Sequence, residues 1–417
     1  MNLRQDPVSA AASAWESVLR DYRIDEGEAV AAVRARLDLP ATEREAIAAD
    51  ALRLAGAVRA SSGQSLAAEA FLQRYSLSSR EGIVLMCLAE ALLRIPDAQT
   101  ADALIRDKLG GTQWEATDFG HPLMNAASWA LVLTGRLAAW HDADGSPEAV
   151  LKKLVARAGE PLVRTAIRHA VQILADQFVA GEDMRQALAR AAQRPRYRYS
   201  FDMLGEAART LADAERYFEA YLAAIGDLAQ HASRARSIEE RAGISVKLSA
   251  LHPRFQMAQR ERVFAELLPC VIALCRTAAE ADIPLTIDAE EADRLLLSLE
   301  IFERLAHEPS LAGWSGLGLA VQAYQKRALP VCEWVAELAA ATQRKIMVRL
   351  VKGAYWDTEI KLAQVLGLDG YPVYTRKAAT DVSYMACAQI LLKAQAAHGC
   401  IFPQFATHNC HTVAFIS

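Results

Sequence analysis

One short stretch, residues 347–357, combines residue types that bind an anion and a planar ring. An apolar, strand-like run there carries two cations, Arg349 and Lys352. A glycine and two aromatic residues, Tyr355 and Trp356, follow at once. Cations at a strand end can bind phosphates or carboxylates, and aromatic faces stack on planar rings. The stretch therefore predicts a nucleotide-like cofactor beside a small acidic substrate.

Other polar residues recur near or just past the end of an apolar run. They are Glu206, Lys247, Asp288, Gln322, Arg349 and His408. In a (β/α) barrel the carboxyl ends of the strands carry the chemistry. A doubly wound sheet would instead show a G-x-G-x-x-G turn after its first strand, and the sequence contains none. The pattern therefore favours an α/β fold of the (β/α)8 TIM-barrel type.

Several of these residues admit more than one interpretation. A lysine at a strand end, such as Lys247, can bind a substrate carboxylate, form a Schiff base, or only reach solvent past the rim. Asp288 is the better functional candidate of its acidic run, because the acids after it fall where a helix would start. Gln322 suits either the polar edge of a flavin or another base, or a satisfied buried amide.

Two further groups give weaker signals. Thr375, Arg376 and Lys377 place a hydroxyl and two cations in a loop, a combination that is usually solvated. The run 407–411 contains two histidines and a cysteine, but its spacing fits no common zinc site. We therefore predict no metal.

The elements that position these residues change in character near residue 190. Strands are predicted over residues 197–203, 244–248, 284–288, 317–322, 345–351 and 401–407. Helical patterns lie between them, for example over 258–281 and 380–397, which indicates a parallel sheet with helical crossovers. Before residue 190 the pattern is all helical, and we predict an arm over 1–85, an α-domain over 86–185 and the barrel over 190–417.

Six predicted strands are fewer than the eight of a closed barrel. We expect about six of the eight units in this chain, with roughly 60–80 residues missing at typical barrel spacing. An unclosed barrel exposes a sheet edge, so we expect weak or absent turnover.

Composition and charge limit which partners and which cellular locations the sequence predicts. The net charge of −4 gives no basic excess, so we expect no nucleic-acid partner and no DNA-binding module at the N-terminus. No secretory signal opens the chain, and the longest apolar runs, 83–93 and 124–140, contain Glu90 and Arg136, so we expect buried helices and no membrane span. The seven scattered cysteines favour reduced core thiols in a cytoplasmic protein.

Six segments, in order, resemble the proline dehydrogenase domain of the bifunctional proline utilization A flavoenzymes. They are residues 200–208 (SFDMLGEAA), 245–253 (SVKLSALHP), 285–294 (LTIDAEEADR), 348–361 (VRLVKGAYWDTEIK), 371–377 (YPVYTRK) and 404–412 (QFATHNCHT). The helical half is similar to the arm and α-domain of that family, especially over 71–93 and 109–137. The resemblance thus covers nearly the whole chain.

The resemblance implies FAD-dependent oxidation of L-proline to Δ1-pyrroline-5-carboxylate, the first step of proline degradation to glutamate. A hydride would pass from the ring carbon next to nitrogen to flavin N5, and electrons would go on to a membrane quinone. The implied location is the cytoplasm. Peripheral contact with the inner face of the membrane and a homo-oligomer are left open.

The resemblance also assigns roles to individual residues. Lys247 would pair with the proline carboxylate, Tyr355 would shape the substrate pocket, and Asp288 and Glu206 would organise the site. The residues implied to bind the cofactor are Asp288, Gln322, Arg349, Val351, Lys352, Gly353, Ala354, Trp356, Thr375, Arg376, Lys377, Thr407, His408 and Asn409.

Within that set the implied positions differ. Arg349 and Lys352 would flank the flavin and its phosphates. Gln322 would meet the pyrimidine edge, and Trp356 would pack near the adenine. The loop residues after 374 and after 406 would line the rest of the FAD.

Two other functions remain open at this point. One is an inactive barrel fragment that acts only as a folding or association partner. The other is a Schiff-base lyase or aldolase on the same barrel, with Lys247 as the nucleophile. The family's later leucine-bearing and tyrosine-bearing strands, its helix with paired arginines and its aldehyde dehydrogenase domain are not seen in this sequence.

Overall fold

The computed structural model describes residues 9–37, 39–61, 179–231 and 237–417. The chain divides into two compact units, one of Met1–Ala55 with Ala191–Ser417 and the other of Gly56–Arg190. The predicted α-domain over 86–185 lies almost entirely outside the described residues, as do the segments 71–93 and 109–137 and the end of the predicted arm.

A parallel sheet forms the centre of the first unit. Its strands are β1 (Ser200–Asp202), β2 (Gly243–Val246), β3 (Leu285–Ile287), β4 (Leu317–Gln322), β5 (Ile346–Val351) and β6 (Ile401–Phe405). The spatial order is β1-β2-β3-β4-β5-β6, so each strand pairs only with its neighbours in the chain. All six predicted strands are confirmed and differ only at their ends. β2, for example, ends at Val246 because residues Leu248–Ala250 turn into a short 3-10 helix.

Helices precede and connect these strands. They are α1 (Ser9–Arg20), α2 (Glu26–Arg36), α3 (Ala41–Ser61), α4 (Met184–Ala192), α5 (Leu211–Gln230), α6 (Arg260–Glu280), α7 (Leu295–Ala306), α8 (Ala328–Thr342), α9 (Trp356–Val365), α10 (Lys377–His398) and α11 (Cys410–Ile416). One or two helices lie between each pair of consecutive strands from β1 to β6. Six parallel strands with helical crossovers make up part of a (β/α) barrel, and an N-terminal helical region precedes them, as predicted.

The central strands are apolar because both of their faces are covered. Every residue of β2, β3 and β4 is buried, as parallel strands between helices and a packed interior require. The thiols of Cys275, Cys332 and Cys387 are buried in the helices around the sheet, and the described cysteines are free. No helix in the described ranges is long and apolar enough to cross a membrane.

Helix α5 begins at a reciprocal cap and supports the sheet from one side. Thr210 Oγ1 accepts the Asp213 N–H at 3.1 Å, and Asp213 Oδ2 accepts the Thr210 N–H at 3.0 Å. This capping box satisfies two of the donors that a helix start leaves unpaired. The helix buries Tyr221, whose hydroxyl oxygen accepts the backbone N–H of Lys247 at 3.3 Å.

The first two helices pack on the barrel helices of the same unit. Trp15 of α1 meets Trp334 of α8, with ring centroids 5.8 Å apart. Arg36 of α2 pairs with Glu333 at 2.8 Å. Between α1 and α2, the ring of Tyr22 covers the buried guanidinium of Arg327, with Cζ 4.3 Å from the ring centroid. Helices α1 and α2 of the predicted arm are therefore attached to the barrel.

Candidate active site

Lys247 lies between two carboxylates at the carboxyl edge of the sheet. Its Nζ donates to Asp202 Oδ1 at 2.7 Å and to Asp288 Oδ2 at 3.2 Å. Asp202 ends β1, Lys247 follows β2 and Asp288 follows β3. Neighbouring parallel strands end at the same edge of a sheet, which gathers one cation and two anions that are distant in the chain.

The carboxylates decide the charge of Lys247. Burial lowers the pKa of this amine, but the charges of Asp288 and Asp202 outweigh the burial, so its pKa is raised. The amine therefore stays protonated at neutral pH, and a protonated amine is not a nucleophile. This charge state counts against the Schiff-base interpretation and suits the binding of a carboxylate.

Asp288 connects Lys247 to a second cation. Its Oδ1 accepts from Arg349 Nη1 at 3.3 Å, while its other oxygen accepts from Lys247. Burial raises the pKa of Asp288, and the attraction of Lys247 opposes that rise. Asp288 thus contacts both cations at once, and its organising role stays a prediction.

Arg349 projects from the middle of β5 and reaches across to the first two strands. Its Nη1 donates to Ser245 Oγ at 2.7 Å and its Nη2 to Ser200 Oγ at 2.6 Å. Thr286 Oγ1 lies 3.4 Å from Nη2. The guanidinium is thus held in one orientation by residues of three other strands and by Asp288 after the third.

Tyr355 and Glu206, both predicted site residues, meet on the same rim. The Tyr355 hydroxyl donates to Glu206 Oε2 at 3.2 Å. Burial and the nearby Glu206 charge raise the pKa of Tyr355, so its phenol remains neutral and donates. Glu206 is placed by a tight loop, in which the N–H of Ala207 donates to Ser249 Oγ at 3.0 Å.

Gln322 ends β4 and has protein partners on both sides of its amide. Its Nε2 donates to Glu290 O at 2.8 Å, and its Oε1 accepts the Ala354 N–H at 3.1 Å. The side chain is buried, which matches the second of its two interpretations. Contact with a pyrimidine edge stays a prediction for its remaining donor and acceptor.

Gly353 follows β5 in a backbone conformation that favours glycine. Its φ is +138°, and a Cβ built there would lie 2.6 Å from Cδ2 of Tyr324. The Tyr324 N–H donates to Lys352 O at 2.8 Å and closes the turn. The close approach of a ring to bare backbone leaves no room for a side chain. Residues 351–354 therefore form a rigid backbone turn at the strand end, which we name the Gly353 turn.

A cationic cluster lies beside this turn. Asp381 Oδ1 accepts from Lys352 Nζ at 2.5 Å, and Asp381 Oδ2 accepts from Lys377 Nζ at 2.7 Å. Lys352 also donates to Thr412 Oγ1 at 3.3 Å. Two lysines share one carboxylate, so the cluster keeps a net positive charge and can hold an anion.

The remaining predicted cofactor residues surround this cluster. Trp356 starts α9, is 41% exposed, and its Nε1 donates to Tyr374 O at 2.9 Å. The Thr375 N–H donates to both oxygens of Glu26, each at 3.1 Å. Arg376 precedes α10 and is exposed.

The segment after β6 forms a helix start rather than a metal site. The Asn409 side chain accepts the Thr412 N–H at 3.0 Å and caps α11, while Thr407 Oγ1 accepts the Asn409 N–H at 3.1 Å. His408 is exposed. Within the described ranges, no group of three or more His, Cys, Asp or Glu side chains is placed to hold a metal ion.

Three residues of this edge were not identified from the sequence. Asp202 ends a strand of only three residues, and its role depends on the pairing of β1 with β2. Asp381 lies inside a helix, where an acid usually faces solvent. Glu290 is buried and accepts the Ser249 N–H at 3.0 Å and the Arg294 Nη1–H at 2.8 Å. The sequence did not single out Glu290, because it stands in a run of acids that falls where a helix would start.

Comparisons with known proteins agree with this architecture. A family model described as Proline dehydrogenase matches residues 185–417. The bifunctional protein PutA of Salmonella typhimurium is 51% identical over 362 residues, which cover 86% of this chain and 27% of that protein. The Escherichia coli protein of the same name is 48% identical over 402 residues, which cover 95% of this chain and 30% of that protein. The chain thus spans about a third of the length of these relatives.

Solved structures show the same likeness. A variant of proline utilization A from Bradyrhizobium japonicum superposes with a TM-score of 0.69 at 48% identity, over 95% of this chain and 39% of that one. The proline utilization A protein from Bdellovibrio bacteriovorus, inactivated by N-propargylglycine, superposes with a TM-score of 0.58 at 26% identity. The match covers 79% of this chain and 35% of that one.

A second family model corrects one expectation. It is described as the DNA-binding domain of Proline dehydrogenase and matches residues 67–178, all of them outside the described residues. The match does not support the expectation of no nucleic-acid partner. That expectation rested on the net charge of the whole chain, which says nothing about one segment.

Proposed function

Because this chain belongs to the proline dehydrogenase family, we propose that it oxidises L-proline to Δ1-pyrroline-5-carboxylate with FAD. The observation that carries the proposal is the group of Lys247, Arg349 and two carboxylates beside the Gly353 turn. Proline is a zwitterion, and a site with fixed charges of both signs complements it. The reaction removes a hydride from the ring carbon next to nitrogen and a proton from nitrogen.

The residues after β5 fit a flavin dinucleotide. The Tyr324 ring packs where a Gly353 side chain would lie and fixes the turn, so its backbone can line the cofactor site in one conformation. Lys352 and Lys377 supply positive charge for phosphates, and the half-exposed ring of Trp356 supplies a stacking face. When bound, FAD supplies the acceptor for the hydride, and the protein supplies orientation and electrostatics.

The remaining cofactor residues would complete this site. Arg349 would lie beside the flavin, and Gln322 would use its free amide donor and acceptor toward the pyrimidine. The backbone of Val351 and Ala354 would line the cofactor site at the Gly353 turn. The loops that contain Thr375, Arg376, Thr407, His408 and Asn409 would enclose the rest.

The substrate side depends on Lys247 and Tyr355. Lys247 is protonated, so its positive charge attracts the carboxylate of proline and sets the position of the ring. Tyr355, hydrogen-bonded to Glu206, forms a wall of the pocket and keeps a neutral hydroxyl toward the ring. Asp288 holds Lys247 and Arg349 at a fixed separation. Electrons would leave through a membrane quinone, and the protein would work in the cytoplasm or at the inner face of the membrane.

The protonation of Lys247 also separates this function from the lyase alternative. A Schiff base needs a neutral amine, and two carboxylates disfavour it here. Borohydride treatment with a carbonyl substrate should therefore leave Lys247 unlabelled in a peptide map.

A dye-reduction assay tests the proposal. The purified chain, loaded with FAD, should reduce dichlorophenolindophenol when L-proline is added, and the rate also tests the expectation of weak or absent turnover. The variant Lys247→Met keeps the length of the side chain but removes its charge. The loss of a charge-assisted contact worth roughly 2 kcal/mol should raise KM for proline about thirty-fold.

A matched variant controls for general effects. Lys393→Met removes an exposed lysine of α10 and should leave KM unchanged. An unaltered KM in Lys247→Met would refute the assigned role of Lys247. Flavin bands that do not co-elute with the wild-type protein in gel filtration would refute the cofactor and favour the association-only alternative.

A further inference from the structure

Three neighbouring strands place hydroxyl groups on the inner face of the sheet. They are Ser200 of β1, Ser245 of β2 and Thr286 of β3, which we name the hydroxyl socket. The inner layers of such barrels are usually filled by valine, isoleucine and leucine. Ser245 and Thr286 are buried, so these hydroxyls must find partners inside the protein.

All three hydroxyls converge on a single guanidinium. Arg349 Nη1 donates to Ser245 at 2.7 Å, and Nη2 donates to Ser200 at 2.6 Å and lies 3.4 Å from Thr286. Ser200 and Ser245 also lie 3.4 Å from each other, Oγ to Oγ. Acceptors on both terminal nitrogens prevent the planar group from rotating.

The neighbouring strand leaves space for this arrangement. Gly318 of β4 pairs in register with Thr286, and a Cβ built on Gly318 would lie 2.7 Å from Thr286 Oγ1. Any side chain at this position would collide with the threonine hydroxyl. A glycine within a buried strand weakens the strand and often marks a close approach. The fourth strand thus accommodates the hydroxyl socket.

We propose that Ser200, Ser245 and Thr286 are positioning residues that orient Arg349 without neutralising it. A hydroxyl oxygen is an uncharged acceptor, whereas a carboxylate in the same place would cancel the positive charge. Arg349 already has one anionic partner, Asp288, at 3.3 Å. The hydroxyl socket therefore fixes the direction of the guanidinium and leaves its field available to the cofactor and substrate. This inference rests on the proposed function only for the identity of those ligands.

The first test needs no cofactor. Phenylglyoxal labels accessible, mobile guanidinium groups, and peptide mass spectrometry measures the rate at Arg349. In the flavin-free protein the rate should rise several-fold in Ser245→Ala and in Ser200→Ala. Ser200→Thr, which keeps the hydroxyl at an exposed position, should restore the wild-type labelling rate.

A matched variant separates positioning from packing. Ser298 of α7 is buried, and its hydroxyl donates to Arg294 O at 3.1 Å. Ser298→Ala removes a buried hydroxyl whose hydrogen-bond partner is Arg294 O rather than Arg349, and it should leave Arg349 labelling unchanged. If Ser245→Ala does not fold, Ser200→Ala decides the question, because Ser200 lies in the edge strand β1.

The second test uses the flavin-loaded protein. Ser200→Ala should lower kcat for proline by about ten-fold, since small misplacements of a positioned group cost one to two orders of magnitude. The midpoint potential of the bound flavin should become more negative, because a fixed cation stabilises the reduced, anionic form.

The outcomes distinguish the two proposals. Wild-type labelling rates and an unchanged flavin potential in both alanine variants would overturn the role of the hydroxyl socket. Faster labelling of Arg349, combined with a wild-type protein that never oxidises proline, would support the hydroxyl socket and refute the proposed function.

Discussion

At the level of residues, the four charges that meet at Lys247 and Arg349 balance, while Glu206 on the same rim has Tyr355 as its partner. Asp202 and Asp288 contribute two negative charges, and Lys247 and Arg349 contribute two positive ones. A zwitterionic substrate adds one charge of each sign and keeps the site neutral. A ligand with a carboxylate alone would leave an uncompensated negative charge in a partly buried place, which is costly. The arrangement therefore favours amino and imino acids over simple carboxylic acids.

Gly353 gives a sharp prediction at this scale. Gly353→Ala forces a Cβ into the Tyr324 ring at a φ of +138°. We expect the turn to move and FAD retention after gel filtration to fall at least ten-fold, since both the strain and the displaced ring oppose the native turn.

Gly399 offers the control. It also has a positive φ, +64°, but a Cβ there meets nothing within 4 Å. Gly399→Ala should cost only about 1 kcal/mol of unfolding free energy and leave flavin binding intact. Equal flavin retention in the two variants would mean that the Gly353 turn is not part of the cofactor site.

The sequence alone revealed part of this residue-level picture. Lys247, Asp288 and Arg349 were identifiable because each follows or lies in an apolar strand. The pairing of Lys247 with Asp202 was not, since it depends on which strands are neighbours and where a three-residue strand ends. The partners of Gln322 were equally hidden, because a backbone carbonyl and a backbone N–H leave no mark in a sequence.

At the level of elements, the start of α5 predicts a pH-dependent stability. The Arg216 and Thr210 side chains lower the pKa of Asp213 to about 2, from an ordinary value of 3.8. A carboxylate with a depressed folded pKa contributes stability above its unfolded pKa, and the contribution is lost as the pH falls through the folded pKa.

Asp213→Asn should therefore lower the urea midpoint of unfolding at pH 7. The difference from wild type should shrink as the pH falls from about 4 toward 2. Asp369→Asn, at an exposed loop position, should match the wild type throughout. A difference that grows with acidity would contradict the assigned cap.

The strands and helices were the part of this structure that the sequence predicted best. Strands β1 to β6 could be placed because short apolar runs alternate with long amphipathic ones, and helices α6 and α10 fall on predicted helices. The ends were less certain. Residues 248–250, for instance, continue the apolar pattern of β2 but form a 3-10 turn, because the Ser249 N–H is held by Glu290 of another loop.

At the level of the whole molecule, the contact between the N-terminal segment and the barrel is testable. Tyr22 covers Arg327, whose pKa is lowered to about 10 by burial. Tyr22→Ala should reduce the free energy of unfolding by about 1–2 kcal/mol, because a desolvated guanidinium loses its aromatic partner. Urea denaturation measures this loss.

Tyr197 provides the comparison. It is 62% exposed, so Tyr197→Ala should change the unfolding free energy by no more than about 0.5 kcal/mol. Equal effects of the two substitutions would show that the Tyr22–Arg327 contact adds nothing to stability.

The sequence predicted an N-terminal helical arm but not what it touches. The first compact unit includes residues up to Ala55 together with the barrel, whereas the predicted arm extends to residue 85. Lys326 Nζ donates to Ile24 O at 2.8 Å across a separation of 302 residues. Helical periodicity identifies which residues are buried, but it does not identify the partner on the other side.

The sequential order of the strands has a consequence for synthesis on the ribosome. Each strand pairs with the one made just before it, so the sheet can grow unit by unit as the chain emerges. The N-terminal helices cannot do the same, because partners such as Lys326 emerge 302 residues after Ile24. At about 5–20 residues per second, that delay is roughly 15–60 s. During this time their apolar faces are without their final partner and are exposed to aggregation.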